Sequence, residues 1–296
     1  MRTLKLGFAD TYENAKRFFT ETLSKKYLVI RDDNNPDYLI FGDNNFGETH
    51  YKYDYRKVKK IFFTGENVRP NYFTYNHAIT FDHENSARHY RLPLWVPEMM
   101  MMTYEGWTKD YLYLTNRKID AEYEWKIKTE FCSFVQSNPR NLQRNTFFEA
   151  LNKIKKVNSA GPHLNNTGFV LPRDGMHHKL DFLRKHKFNI SFENGSYPGY
   201  CTEKILNAYY ANTVPIYWGS VTVHRDFNPK SYIYIGSDFN MRKAIDYILY
   251  LTDNKNSYLD MLTSSPFRDN IAPSVTDLDQ FLDWFDTFVY EEKNGR

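Results

Sequence analysis

Cysteine is nearly absent: only Cys132 and Cys201 occur in 296 residues. Two cysteines make no disulfide framework, so a reducing compartment is expected. Long apolar runs are also missing. A membrane-spanning helix needs about 18 consecutive apolar residues, and none exist here. Behind Met1, the segment Leu4-Lys5-Leu6-Gly7-Phe8 is too short for the apolar region of a secretory signal. The Met99–Met102 run is brief and ends in polar residues, which suits core or a cleft wall. A cytoplasmic protein is expected, with peripheral contact with the inner membrane left open. Charge is not in excess either: 39 Lys and Arg against 36 Asp and Glu leave a net +3. That suits a compact anionic ligand and falls short of a surface built for a nucleic-acid duplex, so no nucleic-acid partner is expected.

Other familiar signatures are lacking. There is no G-x-G-x-x-G and no P-loop. Nine histidines include one adjacent pair, His177-His178, and none has a partner at zinc-ligand spacing, so no metal site is expected. No internal repeat, low-complexity tract or long charge run interrupts the chain. Sequons begin at Asn165, Asn189 and Asn194, but one falls in an expected buried strand, and without a signal none is given a role.

Aromatic residues, by contrast, are abundant: 24 Tyr and 23 Phe bring the aromatic share to 18%. Packed cores account for such residues, and so do sites that hold the apolar faces of sugars. A chain of this length suggests about two domains. Leu4–Ala9 reads as a strand and Thr11–Ser24 as a helix, with Ala15, Phe18, Phe19 and Leu23 at helical spacing. Tyr27–Arg31, Tyr38–Phe41, Lys60–Thr64 and Ala78–Phe81 read as further short strands. Tyr104–Thr129 is mixed and reads as an excursion plus a link. A second unit starts with the strand Phe131–Val135 and the helix Gln143–Ile154. It continues with the strands Phe188–Phe192 and Val214–Tyr217, which flank the helix Thr202–Ala211. Phe239–Leu251 and Leu278–Val289 read as closing amphipathic helices, the last with a capping box of Thr276 and Asp279. This rhythm predicts an α/β protein of two Rossmann-like, doubly wound domains facing a central cleft. The boundaries expected are 1–125 and 126–296. Ligands of such sheets bind beyond the carboxyl ends of the strands.

The densest motif follows one of those strands. Glu193-Asn194 ends the strand, Gly195, Pro198 and Gly199 turn the chain, and Thr202-Glu203-Lys204 opens the helix. A lysine at the positive end of a helix is locally unfavourable, and an anion bound there would remove the conflict. A diphosphate is the natural candidate; a solvated lysine beside Glu203 is the plainer one.

Glu193-Asn194, Tyr200-x-Thr202-Glu203-Lys204-Ile205, Ala208-Tyr209 and Pro215-Ile216-Tyr217-Trp218-Gly219 resemble the donor-site signature of the α1,3/1,4-fucosyltransferases, glycosyltransferase family ten, and its bacterial members above all. Asp226-Phe227-Asn228-Pro229-Lys230-Ser231 continues the likeness. Phe63-Thr64-Gly65-Glu66-Asn67 and Val135-Gln136-Ser137-Asn138-Pro139 with Arg144-Asn145 agree in the family's order. The resemblance covers roughly residues 60–260. It implies a GT-B fold and inverting transfer of L-fucose from GDP-fucose to a sugar hydroxyl, with no metal and no other cofactor. The expected acceptor is an oligosaccharide or glycolipid of N-acetyllactosamine type, fucosylated at O3 of GlcNAc to a product of Lewis x type. It also implies roles: Glu66 as general base, Arg144 and Lys204 on the phosphates, Ser137, Asn138 and Asn194 on the nucleotide-sugar, Tyr200 as an aromatic at the donor, and Glu203 on its hydroxyls. For the acceptor, Asp82, Glu84, Arg88 and Trp95 are candidates, chosen as carboxylates, Arg and an aromatic suited to a sugar. Asp277-Leu278-Asp279 has the D-x-D spelling of metal-dependent transferases, but helix capping explains it better. The rivals are another GT-B nucleotide-sugar transferase, which donor exchange would reveal, and a non-catalytic glycan- or nucleotide-binding protein.

Overall fold

The structure, a computed structural model, describes residues 1–101, 103–104, 107–108, 111–173 and 176–294, with backbone alone at 103–104, 107–108, 111–112 and 290–294. The chain divides into two compact units, residues 1–101 with 274–296, and residues 102–273.

The first unit runs β1 (Arg2–Ala9), α1 (Glu13–Leu23), β2 (Tyr27–Arg31), β3 (Tyr38–Phe41), β4 (Lys59–Phe63), β5 (His77–Thr80), β6 (His89–Arg91) and α2 (Trp95–Met101). Its six strands lie in the order β2-β1-β3-β4-β5-β6, and every pair is parallel. Leu4, Leu6, Leu39, Ile40, Ile61 and Ile79 are fully buried. Central strands of a parallel sheet are covered on both faces, which is why they read as unbroken apolar runs. On α1, Ala15, Phe18, Phe19 and Leu23 are buried, the face that their spacing predicts.

The second unit begins with a two-residue hairpin, β7 (Thr103–Tyr104) and β8 (Trp107–Thr108), then α3 (Tyr111–Thr115) and α4 (Ala121–Ile127). Next come β9 (Glu130–Phe134), α5 (Leu142–Ile154), β10 (Val157–Ser159), α6 (His177–Arg184), β11 (His186–Phe192), α7 (Glu203–Tyr210), β12 (Val214–Trp218), β13 (Ile233–Tyr234), α8 (Met241–Asp253) and α9 (Lys255–Thr263). The five-stranded sheet, in order β10-β9-β11-β12-β13, is again all parallel. Each unit is thus Rossmann-like, as expected.

The partition differs from the expected 1–125 and 126–296 at both ends. Residues 113–125 belong to the second unit because their side chains are committed to it. Arg117 donates to the carbonyls of Tyr209, Leu262 and Ser264. Buried Glu124 accepts from Arg184 and Asn212, each at 2.8 Å. Part of the polar composition that suggested a link, Glu124 and Lys128, is buried, while most of the rest is exposed; residues 105, 106, 109 and 110 of that stretch lie outside the described residues. At the other end, the last helix, α10 (Leu278–Asn294), packs on the first unit. Phe285 meets the rings of Tyr27 and Tyr38 at 6.0 and 5.9 Å, and Phe288 stacks on His77 at 3.9 Å. Lys26 pairs with Asp283 and Asp286. The cap of α10 is also corrected: Asp277, one residue beyond Thr276, accepts the Asp279 N–H at 3.0 Å. That is the capping role expected for the D-x-D spelling. Among the described residues, no helix is long and apolar enough to cross a membrane.

Candidate active site

In the second sheet β9 and β11 are neighbours, and the chain leaves them in opposite directions, β9 toward β10 and β11 toward β12. Their carboxyl ends therefore form a topological switch point, where open α/β sheets bind ligands. The loop after β9 carries Ser137 and Asn138, both exposed, and leads into α5. Asn141 caps α5 by accepting the Arg144 N–H at 2.8 Å, and its amide donates to the Glu193 carbonyl at 2.9 Å. One asparagine thus fastens the first loop to the end of β11.

Arg144 stands on the first turn of α5, its residue wholly buried. Its guanidinium donates to the Asn194 side chain at 3.1 Å and to the Asn138 carbonyl at 2.5 Å, both neutral, and Nε is buried with no hydrogen-bond partner among the described residues. Burial pulls the pKa of this guanidinium below its ordinary value, and the charge of Glu193 offsets part of that. A buried cation whose hydrogen-bond acceptors are neutral is a costly arrangement that a bound anion would relieve.

The loop after β11 is organised by Glu193, a residue that stood inside the sequence motif without a role. Glu193 is fully buried. Its carboxylate accepts the Thr202 N–H at 2.7 Å and the Thr202 hydroxyl at 2.6 Å, and lies 3.3 Å from the Lys204 ammonium. Thr202 does occupy the N-cap position of α7, but its hydroxyl makes no cap hydrogen bond; it serves Glu193 and receives Lys204 at 2.8 Å. Lys204 also reaches Glu203 at 3.5 Å. Burial pushes the Glu193 carboxyl above the usual range, with Lys204 pulling back. Burial raises Glu203 too, but there Lys204 and then Lys179 outweigh it and hold that carboxyl down to about 2. The helix start is thus prearranged around one ammonium.

Gly219 closes the third side, after β12. A Cβ there would lie 2.5 Å from Cγ of Glu193, and its φ is +157°. Only glycine lets this turn pass so close to the buried carboxylate. Tyr200 is 1% exposed, so its ring belongs to the packed wall of the site rather than to its open face.

In the first unit, Glu66 follows β4. Its N–H donates to the Thr64 hydroxyl at 2.9 Å, and that hydroxyl donates to Asp43 at 2.8 Å. Gly65 before it admits no side chain, since a Cβ would sit 2.5 Å from Leu94. Glu66 is thereby held on a tight turn, half-exposed. Of the acceptor candidates, Glu84 and Arg88 are exposed and both meet Tyr72, while Asp82 and Trp95 are buried. Glu84 is exposed and accepts from Tyr72 at 3.0 Å. Arg88 is committed to the carbonyls of Tyr72, Tyr75 and Asn76. Asp82 is buried between Arg69 and the Thr80 hydroxyl. Trp95 is wholly buried and presents no face to a ligand: an apolar ring at the start of a short helix fills the core. Among the described residues, no three His, Cys, Asp or Glu side chains group so as to hold a metal ion.

Comparisons with known proteins bear on the family and the fold. Residues 5–97 match the alpha-(1,3)-fucosyltransferase FucT N-terminal domain, and residues 124–263 match glycosyltransferase family 10 (fucosyltransferase), C-terminal. The chain is 36% identical over 281 residues to the alpha-(1,3)-fucosyltransferase FucT of Helicobacter pylori, covering 87% of this chain and 57% of that protein. It therefore spans little more than half the length of that relative. A crystal structure of an alpha1,3-fucosyltransferase superposes with a TM-score of 0.80 at 32% identity, covering 97% of this chain and 90% of that one. A crystal structure of an alpha1,3-fucosyltransferase with GDP-fucose gives 0.75 at 31% identity, covering 98% and 91%.

Proposed function

We infer the function from a family relation: the chain belongs to the fucosyltransferases of glycosyltransferase family 10. On that footing we propose that it transfers L-fucose from GDP-fucose to a hydroxyl of an oligosaccharide or glycolipid, O3 of GlcNAc in N-acetyllactosamine-type acceptors. The observation that carries the proposal is Arg144, buried at the switch point of the second unit, with neutral hydrogen-bond acceptors and one unsatisfied nitrogen. A guanidinium so placed is matched to a diphosphate, which it binds through two N–H groups at once.

The chemistry follows from charge. As the bond between fucose C1 and the phosphate oxygen breaks, negative charge grows on the diphosphate and the sugar becomes oxocarbenium-like. Arg144 and the start of α7 supply positive charge and N–H dipoles where that charge grows, and Lys204, whose charge is shared with Glu193 and Glu203, adds a further donor. In this scheme they do the work that a metal ion does in other transferases, and no metal is required. Glu203, held ionised, is suited to accept hydrogen bonds from sugar hydroxyls. Glu66 takes the proton of the attacking acceptor hydroxyl. A single displacement turns the β linkage of the donor into an α-fucoside.

The test is product analysis by NMR after incubating the protein with GDP-fucose and N-acetyllactosamine. An α-anomeric fucose signal with a glycosylation shift at O3 of GlcNAc is the expected result. A β-fucoside, or transfer only from a UDP- or ADP-sugar, overturns it.

A further inference from the structure

Of the candidate acceptor residues, Asp82 and Trp95 are buried, and the first unit also has a cavity that none of the four lines. It lies beyond the carboxyl ends of β3 and β4, where a parallel sheet places its ligands, and encloses about 330 Å³. That is the lower end of the range for small-molecule sites, roughly 300–1,000 Å³. Its lining has two chemistries. Tyr51, exposed, and Tyr75 supply ring surface, while Asp43, Asn44, Asn45 and Asn71 supply neutral amides and one carboxylate. The arrangement is amphipathic on the scale of one hexopyranose, which has C–H faces for rings and hydroxyls for amides and carboxylates. The lining carries one carboxylate, Asp43, and one guanidinium, Arg69, which is paired with Asp82.

Asp43 is positioned rather than loose. One carboxylate oxygen accepts the Thr64 hydroxyl at 2.8 Å and the other the Asn45 N–H at 2.9 Å. Each oxygen keeps a second lone pair. The same Thr64 hydroxyl accepts the Glu66 N–H, so the carboxylate in the cavity and the turn that carries Glu66 share one hydrogen-bonded anchor. Val68 and Arg69, two and three residues after Glu66, line the cavity wall.

We propose that this cavity is a pyranose subsite for the acceptor. Asp43 accepts hydrogen bonds from acceptor hydroxyls, and the ring of Tyr51 covers a sugar face. The proposal rests on the transferase function above and deepens it. A hydrogen bond to a charged group gives the expected size: Asp43→Asn raises the KM for N-acetyllactosamine about tenfold or more. Tyr51→Ala, an exposed position that spares the fold, raises it severalfold. The KM for GDP-fucose stays within twofold in both. Saturation-transfer NMR of N-acetyllactosamine on the unmodified protein and on both variants completes the test, because it reads binding without turnover. Transfer by the unmodified protein with an unchanged acceptor KM in both variants overturns the subsite and leaves the transferase function standing. Binding that both variants lose, in a protein that transfers no fucose, keeps the subsite and overturns the function. Neither transfer nor saturation by the unmodified protein overturns both.

Discussion

Replacing Arg144 by methionine separates ligand binding from folding, and the structure says how far. The guanidinium is buried and donates to one side-chain oxygen and one carbonyl, with Nε unsatisfied. Methionine keeps the unbranched stem and removes the charge. The folded protein loses two hydrogen bonds from a charged donor, about 1.5–3 kcal/mol each. It is relieved of a buried charge with neutral partners, a cost of similar size or larger. The unliganded variant should therefore melt close to the unmodified protein. Binding should not survive so well. Truncating one partner of a buried, hydrogen-bonded charge pair costs roughly 2–5 kcal/mol, a loss of about 30-fold to several thousandfold in affinity. At a GDP concentration 100 times the dissociation constant, the unmodified protein gains about 2.7 kcal/mol. That raises the melting temperature of a unit this size by roughly 5–11 °C. The variant at the same GDP concentration should gain less than about 1 kcal/mol. Thermal melts with and without GDP, backed by calorimetric titration, measure both quantities. A variant that binds GDP within threefold of the unmodified protein would refute the anion site; one that no longer folds would refute the stability estimate.

Two further outcomes follow from the second unit. Gly219→Ala sets a methyl against Glu193 Cγ and should cost about 1–3 kcal/mol of stability, read as a lower denaturation midpoint, together with weaker GDP binding; a neutral result would mean the turn is not pinned by Glu193. Burial lowers the pKa of His186 to about 4; its Nδ1 faces the Phe182 carbonyl at 2.8 Å and its Nε2 the Asn158 amide at 3.0 Å, an amide that donates and resists a proton there. The unfolded chain takes up that proton first, so stability is full above about pH 6.5, falls by about 3 kcal/mol on going toward pH 4, and flattens below it. Urea melts across that range should show a shallower slope for His186→Leu, and an unchanged slope would place the titration elsewhere.

Much of the fold was legible because parallel strands covered on both faces announce themselves. Tyr38–Phe41 and Val214–Tyr217 could hardly be anything else, and α1 showed its buried face in four residues. What escaped was short or polar. Helix α6 buries only Leu180 and Leu183 of its eight residues, too few for a period to show. Helix α4 is held by Glu124, whose partners Arg184 and Asn212 lie 60 and 88 residues away. The site divides in the same way. Arg144, Asn194 and Lys204 were readable from a motif, and Arg144 and Asn194 do meet. Glu193 stood inside that motif without a role, since nothing local tells that a carboxylate will be buried against a threonine and a lysine. Asp43 was invisible for the same reason: its partner Thr64 is brought to it by strand pairing.

The most direct test of the central claim is acceptor-dependent release of GDP from GDP-fucose with N-acetyllactosamine, in EDTA, for the unmodified protein and Glu66→Gln. Release should survive EDTA in the unmodified protein and fall by roughly 10²–10⁴ in the variant, with GDP binding retained in both. Release that EDTA abolishes and a divalent cation restores, or no acceptor-dependent release from the unmodified protein, would contradict the account.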